Sequence, residues 1–253
     1  MKEKKQSVLL FLLIVVVGLL VWQMRDGTTI ERAPLREARS VTTPLPREKE
    51  TATAKKSEKA KEKKMVEPVG HFVSINKDVI GYISIPDTEI EYPVLMGTDN
   101  TYYLTHDLYG KADKSGTIMA DYKYQNTGIE EMFLRHTMLY GHHLARKGMF
   151  TTLVQYKKAD FFQKHPYIEF SNRYKKGRWK VFSVYVVNAD EETIPRMFEK
   201  DEEYLAFLEK AKSRSKYAVD VSFDKDSKVL TLCTCSYETD NSRTIVHAIL
   251  EEE

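Results

Sequence analysis

The sequence predicts a mainly β domain, folded as a barrel or a sandwich and preceded by an apolar segment and a charged linker. Eight short runs rich in β-branched and aromatic residues follow one another from about residue 66, with turn-rich segments between them. Only one stretch among them has a well-developed amphipathic helical pattern, and no internal repeat is evident. At 253 residues, with 42% hydrophobic residues, the chain is long enough for one sizeable domain with extensions.

The first 24 residues predict a membrane anchor. Residues 1–6 are net basic, and residues 7–24 carry no charge and are almost wholly apolar. As a helix, residues 7–24 would span roughly 27 Å, close to the thickness of the hydrocarbon core of a bilayer. The positive-inside rule then places residues 1–6 in the cytoplasm and the later residues outside the cell membrane. A cleaved signal peptide is the alternative, which Arg25 and Asp26 disfavour because no small-x-small site follows closely.

A flexible charged stalk, residues 25–65, is predicted to follow the anchor. The segment is rich in charge, poor in aromatic residues, and contains Pro34, Pro44 and Pro46. Such a composition cannot bury enough apolar surface to offset the entropy of ordering the chain. Aromatic residues become frequent from about Val66, so residues 66–253 are the predicted folded domain.

The eight predicted strands share an enrichment in β-branched, apolar and aromatic residues. They are Val79–Ile85, Ile90–Val94, Gly116–Ala120, Thr137–Tyr140, Tyr167–Ser171, Trp179–Val187, Lys228–Thr234 and Arg243–Leu250. Strands of this length and number are typical of both barrels and sandwiches, and the pattern by itself does not choose between them.

One helix, Asp201–Ala211, is predicted in the connection between the sixth and seventh strands. Asp201 can cap it, and Glu202 and Glu203 suit the positive end of the helix dipole. The side chains that form its apolar face are Tyr204, Phe207, Leu208 and Ala211. Weaker helical patterns are present at Thr101–Leu108, Ile129–His136 and Met149–Tyr156.

Charge and cysteine content exclude several classes of protein. A net charge of +2 gives no indication of a nucleic-acid partner. The two cysteines, Cys233 and Cys235, are too few and too close in sequence for a disulfide scaffold, and a bond between them would close a strained ring. Phosphate-binding glycine loops and the Gly-x-Ser-x-Gly turn are absent from the sequence, and no cofactor is predicted.

Cys235 and Arg243 predict a reactive thiol. Cys235 ends one predicted strand, Arg243 begins the next, and the polar segment between them suits a hairpin turn. A hairpin would place the thiol beside the guanidinium, and a nearby permanent cation favours the thiolate at neutral pH. The alternatives are a small buried cysteine and an ordinary surface arginine.

A cysteine nucleophile also needs an acid–base partner, and His142 and His143 are the best candidates among seven histidines. They follow Tyr140 and Gly141 at the end of a predicted strand, where a glycine lets the backbone turn and present a side chain. A zinc site formed by the two cysteines and these two histidines is the alternative. It is disfavoured, because adjacent histidines seldom share one metal, and no metal site is predicted.

These motifs resemble those of the sortase family, over roughly Phe72 to Leu250. The Thr-Leu-x-Thr-Cys strand motif is present as Thr231 to Cys235, the histidine after a strand-end glycine is His142, and the arginine that begins the next strand is Arg243. The subclass resembles class B, whose N-terminal patterns correspond to the three segments Ile75–Ile83, Ile90–Val94 and Asp99–Leu104. The resemblance implies an eight-stranded sortase-type β-barrel with N-terminal helices and a helix between strands six and seven.

The resemblance further implies transpeptidation. Cys235 would attack the Thr carbonyl of a sorting signal on a secreted protein, and His142 would protonate the departing amine. His142 would then deprotonate an amine of a peptidoglycan precursor or a pilin, while Arg243 stabilises the oxyanion. The implied substrate-binding residues are Asn100, Leu104, Tyr140 and Cys233. The implied location is the outer face of the membrane of a Gram-positive cell.

Two positions depart from the class B pattern. Residue 233 is often Ser in class B and is Cys here, which leaves open a redox lock with Cys235. The residue after the histidine is commonly Asn or another polar residue and is His143 here, so His143 remains a second candidate for the catalytic base. Two other functions remain open: a cysteine endopeptidase that uses water as acceptor, and a non-catalytic wall-binding module on a stalk.

Overall fold

The computed structural model describes residues 63–252. The predicted cytoplasmic residues 1–6, the predicted anchor 7–24 and residues 25–62 of the predicted stalk lie outside the described residues. Between residues 63 and 252, no helix is both long enough and apolar enough to cross a membrane.

Residues 63–252 form eight strands, three α-helices and three short 3₁₀ helices. The strands are β1 (Val79–Ser84), β2 (Glu91–Leu95), β3 (Ile118–Ala120), β4 (His136–Tyr140), β5 (Tyr167–Asn172), β6 (Lys176–Asn188), β7 (Val229–Cys235) and β8 (Ser242–Glu252). The helices are α1 (Val69–Ile75), α2 (Ala159–Lys164) and α3 (Asp201–Ser213), with 3₁₀ helices at Tyr102–Leu104, Tyr122–Tyr124 and Thr151–Lys157.

The strands close into a barrel in the order β1-β2-β3-β4-β7-β8-β6-β5, and β5 pairs with β1 to complete it. The pairs β2–β3 and β4–β7 are parallel, and the other pairs are antiparallel. All eight predicted strands are therefore confirmed, with ends that differ by a few residues. Because the sheet is closed, the fold is a barrel and not a sandwich.

Aromatic and branched side chains fill the barrel. Trp179 on β6 is fully buried and packs edge-on against Phe133, with ring centroids 5.1 Å apart. Its indole N–H donates to the carbonyl of Phe170 at 3.1 Å, which satisfies the polar atom of an otherwise apolar side chain. Burial of such side chains is the main force that closes the sheet on itself.

Helix α3 lies between β6 and β7, as predicted, but the prediction of its cap is wrong. Lys200 is the N-cap residue, no side chain caps the helix, and Asp201 is already its first residue. The Asp201 carboxylate instead accepts a hydrogen bond from Arg135 Nη1 at 2.9 Å, which draws it away from the capping position. At the first turn it still complements the helix dipole, together with Glu202 and Glu203.

The three weaker helical patterns form little α-helix. Only Tyr102–Leu104 of the first and Thr151–Lys157 near the third are helical, and both are 3₁₀. The second, Ile129–His136, is wrong: turns after Gly128 lead directly into β4, which begins at His136. The Gly128 carbonyl accepts hydrogen bonds from the amides of Glu131 and Met132, both at 2.9 Å, so a single turn forms where a helix was predicted.

Helix α3 packs on the outer face of β4, β7 and β8. Successive residues of a strand point to opposite sides, so His136, Thr231 and His247 share one face of the sheet with the residues two and four positions along their strands. The ring of Phe207 on α3 lies 5.1 Å from that of His136 and 5.7 Å from that of His247. The helix therefore covers one end of this outer face, and Tyr140, Cys235 and Arg243 lie toward its other end.

A chain of hydrogen bonds runs beneath α3. The Thr231 hydroxyl bonds to His136 Nε2 and to His247 Nδ1, both at 2.7 Å, and His247 Nε2 bonds to the Tyr185 hydroxyl at 2.8 Å. All four side chains are buried. Burial lowers the pKa of His136 to about 4. The pKa of His247 also falls well below its usual value, through burial and then through the nearby His136 and Arg214. Both imidazoles are therefore neutral in the folded protein at neutral pH.

We expect the folded domain to lose stability as the pH falls from about 6.5 to 4.5. In this range the unfolded chain protonates both histidines while the folded protein does not, so protons favour the unfolded state. For His136 the loss is about 2 kcal/mol over these two units. Carboxyl groups with a lowered pKa, such as those of Glu192 and Glu238, contribute only below their ordinary value of 4.5. Urea unfolding at several pH values measures the slope.

The matched comparison is His136→Gln with His71→Gln, since His71 is exposed on α1. The His136 variant should show a flatter dependence of the unfolding free energy on pH, whatever its absolute stability. The His71 variant should keep the wild-type slope. A wild-type free energy that does not change across this range would contradict the assignment of two neutral buried imidazoles.

Candidate active site

Cys235 and Arg243 lie opposite each other where β7 and β8 meet. Their backbones pair directly in the antiparallel register, and Cys233 pairs with Ile245 on the same face. Because paired residues project to the same side of a sheet, the Cys235 and Arg243 side chains leave the barrel together. Cys235 is the last residue of β7 and is half-buried. The predicted hairpin is confirmed.

The parallel pairing of β4 with β7 brings the Gly141–His143 turn to the other side of Cys235. Tyr140 pairs with Cys233, the last pair of this register. The alignment continues past it, because the amide of Gly141 donates to the Cys233 carbonyl at 3.2 Å and the Thr234 hydroxyl donates to the Gly141 carbonyl at 2.7 Å. His142 therefore follows alongside Cys235, which lies between the histidine turn and Arg243.

Gly141 allows this close approach. A Cβ at this position would overlap the side chain of Ile118 and would lie 2.7 Å from the ring of Phe150. Both of those side chains are fully buried in the barrel core and cannot move aside without loss of packing. The chain can thus cross the core edge and present His142 only with glycine in this place.

His142 is oriented by a backbone carbonyl. Its Nε2 lies 2.8 Å from the carbonyl oxygen of Leu104. A carbonyl can only accept, so Nε2 carries a proton, and Nδ1 is the nitrogen that gains or loses one. Leu104 therefore contacts the predicted site through its main chain.

His143 has a different set of contacts. Its Nδ1 donates to the carbonyl of Cys235 at 2.9 Å, and its ring packs against Tyr237 with centroids 4.9 Å apart. The Tyr237 hydroxyl also donates to the carbonyl of His143 at 3.3 Å. His143 thus joins the histidine turn to the β7–β8 loop through the main chain of Cys235 and through Tyr237.

Arg243 is held at the mouth of the β7–β8 hairpin. Its Nη1 donates to the carbonyl of Ser242 at 3.0 Å, and its Nη2 donates to Asn241 Oδ1 at 3.2 Å. Its positive charge acts on the neighbouring thiol: burial raises the pKa of Cys233, and the Arg243 guanidinium opposes that rise. The guanidinium charge is therefore directed toward the face that carries both cysteines.

Cys233 is a buried thiol. Only 8% of its surface is exposed, and burial raises its pKa to about 12, so it stays protonated at neutral pH. Both cysteines are free. Residues two apart on an extended strand have parallel Cβ atoms about 6.6 Å apart, whereas a disulfide needs about 3.5–4.5 Å. A redox lock between Cys233 and Cys235 would therefore require β7 to distort.

Asn100 and Tyr140 are brought together by Asp121, which the sequence analysis did not identify. Asp121 Oδ2 accepts hydrogen bonds from Asn100 Nδ2 at 3.1 Å and from the Tyr140 hydroxyl at 2.8 Å. Arg196 donates to the same oxygen at 3.0 Å. A carboxylate directly after a predicted strand could have drawn attention to Asp121, whereas Arg196 lies in an irregular segment without any pattern.

The structure therefore places the predicted site residues in two adjoining groups. Cys235, His142 and Arg243 meet at the ends of β4, β7 and β8, with Leu104 joined to His142. Tyr140 and Cys233 are backbone partners immediately before them, and Asn100 reaches Tyr140 through Asp121. Across residues 63–252, no cluster of three or more His, Cys, Asp or Glu side chains is arranged to hold a metal ion.

Comparison with known proteins gives the family. The sortase domain model matches residues 83–251. Sortase B of Staphylococcus aureus is 35% identical over 176 residues, which cover 69% of this chain and 70% of that protein. The chain belongs to the sortase family. Sortase homologues are cysteine transpeptidases, and the chain is an enzyme of this kind.

Solved structures agree with this assignment to the sortases. The X-ray structure of Clostridium perfringens sortase B has a TM-score of 0.67 and 30% identity, and the match covers 72% of this chain and 99% of that one. A Staphylococcus aureus sortase B–substrate complex has a TM-score of 0.66 and 33% identity, covering 73% of this chain and 84% of that one. The predicted eight-stranded sortase barrel and the resemblance to class B are confirmed.

We expect iodoacetamide to alkylate this sortase at Cys235 and to leave Cys233 unmodified in the folded state. Cys235 is half-buried at a strand end beside a cation, whereas Cys233 is buried and protonated. Intact mass should show one adduct at neutral pH, and peptide mapping should place it on Cys235. Cys235→Ala should show none until the protein is denatured. An adduct on Cys233 in the folded wild type would contradict this description of the two thiols.

Proposed function

We propose that this sortase joins secreted proteins to an amine on the cell surface, with Cys235 as nucleophile, His142 as acid and base, and Arg243 as oxyanion stabiliser. The proposal depends on one observation: Cys235 lies between the Gly141–His142 turn and Arg243 on one face of the barrel. A nucleophile, a proton carrier and a fixed cation at one strand end are the groups that acyl transfer requires.

In the first half-reaction, the Cys235 thiolate attacks the carbonyl carbon of a Thr residue in a sorting signal. A C–S bond forms, the C–N bond to the next residue breaks, and His142 gives its proton to the departing amine. The product is a thioacyl-enzyme and a free C-terminal fragment. The guanidinium of Arg243 donates hydrogen bonds to the oxyanion that develops on the Thr carbonyl.

In the second half-reaction, an amine of a peptidoglycan precursor or of a pilin attacks the thioester carbonyl. His142 accepts the proton that the amine releases, the C–S bond breaks, and the thiolate is restored. The Leu104 carbonyl at Nε2 keeps Nδ1 as the exchanging nitrogen in both halves. Because His142 acts as the acid first, the active form would pair the Cys235 thiolate with the His142 imidazolium.

The bound peptide would lie along the outer face beside Tyr140 and Cys233. The aromatic ring of Tyr140 would pack against the peptide. The Asn100 side-chain amide retains one N–H and one oxygen lone pair that can bond to a peptide backbone. The Leu104 main chain adjoins the same region, since its carbonyl contacts His142. The Staphylococcus aureus sortase B–substrate complex has a similar fold, which supports a substrate-binding site here.

We further propose that the enzyme is tied to the cell membrane by residues 7–24, with residues 25–65 as a spacer and the catalytic domain outside. The uncharged apolar composition of residues 7–24 and the basic residues before them support this location. Secreted proteins would then reach the active site as they emerge from the membrane.

The direct test offers the domain a library of sorting peptides with and without an amine acceptor such as triglycine. Wild type should form the peptide–triglycine product, and Cys235→Ala should form none, because no other group can carry the acyl chain. Mass spectrometry identifies the products. Hydrolysis alone in the presence of amine would support the endopeptidase, and turnover by Cys235→Ala would reject this nucleophile.

His142 and His143 form a matched pair of neighbours for the acid–base assignment. His142→Ala should lower kcat by roughly 10²- to 10⁴-fold, the range expected for loss of a general acid and base. His143→Ala should lower kcat by roughly tenfold or less, because it removes a contact with the Cys235 main chain rather than a proton carrier. Equal losses, or a larger loss for His143→Ala, would exchange the two roles.

A further inference from the structure

Asp121 is a fully enclosed carboxylate at the end of β3. Only 1% of the residue is exposed. Its Oδ2 accepts three hydrogen bonds, from Asn100 Nδ2 at 3.1 Å, the Tyr140 hydroxyl at 2.8 Å and Arg196 Nε at 3.0 Å. Its Oδ1 accepts from the amide of Lys123 at 3.0 Å. Both oxygens thus have hydrogen-bond partners, and none of these bonds involves Cys235 or His142.

The three side-chain donors come from segments far apart in the sequence. Asn100 lies between β2 and β3, Tyr140 ends β4 two residues before His142, and Arg196 lies in the β6–α3 loop, residues 189–200. Arg196 Nε also donates to the Tyr140 hydroxyl at 3.1 Å, and its Nη1 donates to the carbonyl of Ile194 at 2.7 Å. One carboxylate therefore joins the β6–α3 loop to two residues of the proposed peptide site.

This pair of charges is ionised. Burial by itself raises the pKa of Asp121, but the hydrogen bonds from Lys123, Tyr140, Arg196 and Asn100 outweigh burial and lower it. Burial likewise disfavours the charged form of Arg196, and its interactions with Tyr140 and Asp121 raise its pKa above the ordinary value. Removal of either member of such a buried pair destabilises the folded protein, because the other charge is left without compensation.

The network sets the orientation of both peptide-site side chains. The Tyr140 hydroxyl donates to Asp121 and accepts from Arg196, which fixes the plane and tilt of its ring. The Asn100 amide donates to Asp121, and its Oδ1 accepts from the amide of Tyr122 at 3.0 Å. With both ends held, the amide cannot flip, and one N–H and one oxygen lone pair remain for a peptide backbone.

We propose that Asp121 and Arg196 are positioning residues for the peptide substrate: they hold Asn100 and Tyr140 and fix the β6–α3 loop beside them, so that the groove is formed before the peptide binds. This inference rests on the proposed peptide site at Asn100 and Tyr140. A preformed groove lowers the entropy lost on binding, so the network acts on KM and leaves the chemistry at Cys235 unchanged.

Arg196→Met keeps the approximate length of the side chain and removes the charge and the donors. We expect KM for the sorting peptide to rise about tenfold or more, with kcat within about threefold of wild type. Asp121→Asn should act in the same direction, because one face of the amide presents a donor to another donor. Arg196→Lys should restore part of the affinity through a single hydrogen bond.

Arg214→Met is the matched control. Arg214 is also half-buried and bonds at 2.7 Å to Glu192, in the same β6–α3 loop, but contacts neither Asn100 nor Tyr140. Arg214→Met should lower Tm to a similar extent as Arg196→Met and should leave KM within about twofold of the wild-type value. The rate of Cys235 alkylation should be unchanged in both variants. If Arg214→Met raises KM as much, or if Arg196→Met slows alkylation and lowers kcat instead, the positioning role is overturned.

Two further measurements separate this inference from the proposed function. In a double-mutant cycle, Tyr140→Phe and Arg196→Met should raise KM together by clearly less than the product of their single effects; independent effects would overturn the proposal.

Failure of wild type to turn over any sorting peptide would reject the proposed function alone. Hydrogen exchange would still test the network: amides of residues 98–102 should exchange faster in Arg196→Met than in Arg214→Met, and equal rates would contradict it.

Discussion

The parallel register between β4 and β7 is the constraint on which the active site depends. It aligns Tyr140 with Cys233, and the bonds between Gly141 and the Cys233–Thr234 segment carry the alignment past the strand ends. A shift of one residue would turn each side chain to the opposite face. His142 would then point away from the face that carries Cys235. Gly141 is required for this register, because a larger residue at this position would overlap Ile118 and Phe150.

The same outer face carries two environments with opposite chemistry. Beneath α3, the bonds that join His136, Thr231 and His247 are closed to solvent, and burial keeps both imidazoles neutral. At the other end, His142 and Cys235 are only half-buried, and a proton carrier must reach a substrate there. The position of one helix on the sheet thus separates structural histidines from the histidine proposed to transfer protons.

The sequence was informative wherever the signal is local. Strand patterns, the helix at Asp201–Ala211 and the hairpin that joins Cys235 to Arg243 each depend on neighbouring residues, and the structure has all three. Non-local features carried no such signal. Closure of the barrel depends on the pairing of β1 with β5, and the Asp121–Arg196 pair joins residues 75 positions apart. The Leu104 contact with His142 is made by a main-chain oxygen, which no side-chain pattern encodes.

The two departures from the class B pattern satisfy the local demands of their positions. Cys233 is enclosed beside Ile245 and Tyr185, where a thiol packs as a small apolar group and a hydroxyl would need a hydrogen-bond partner. His143 donates one hydrogen bond from Nδ1 to the Cys235 carbonyl, which the side-chain amide of Asn could also donate. Position 233 thus requires a small side chain that packs well, and position 143 requires one hydrogen-bond donor. Neither departure changes the three proposed catalytic residues, Cys235, His142 and Arg243.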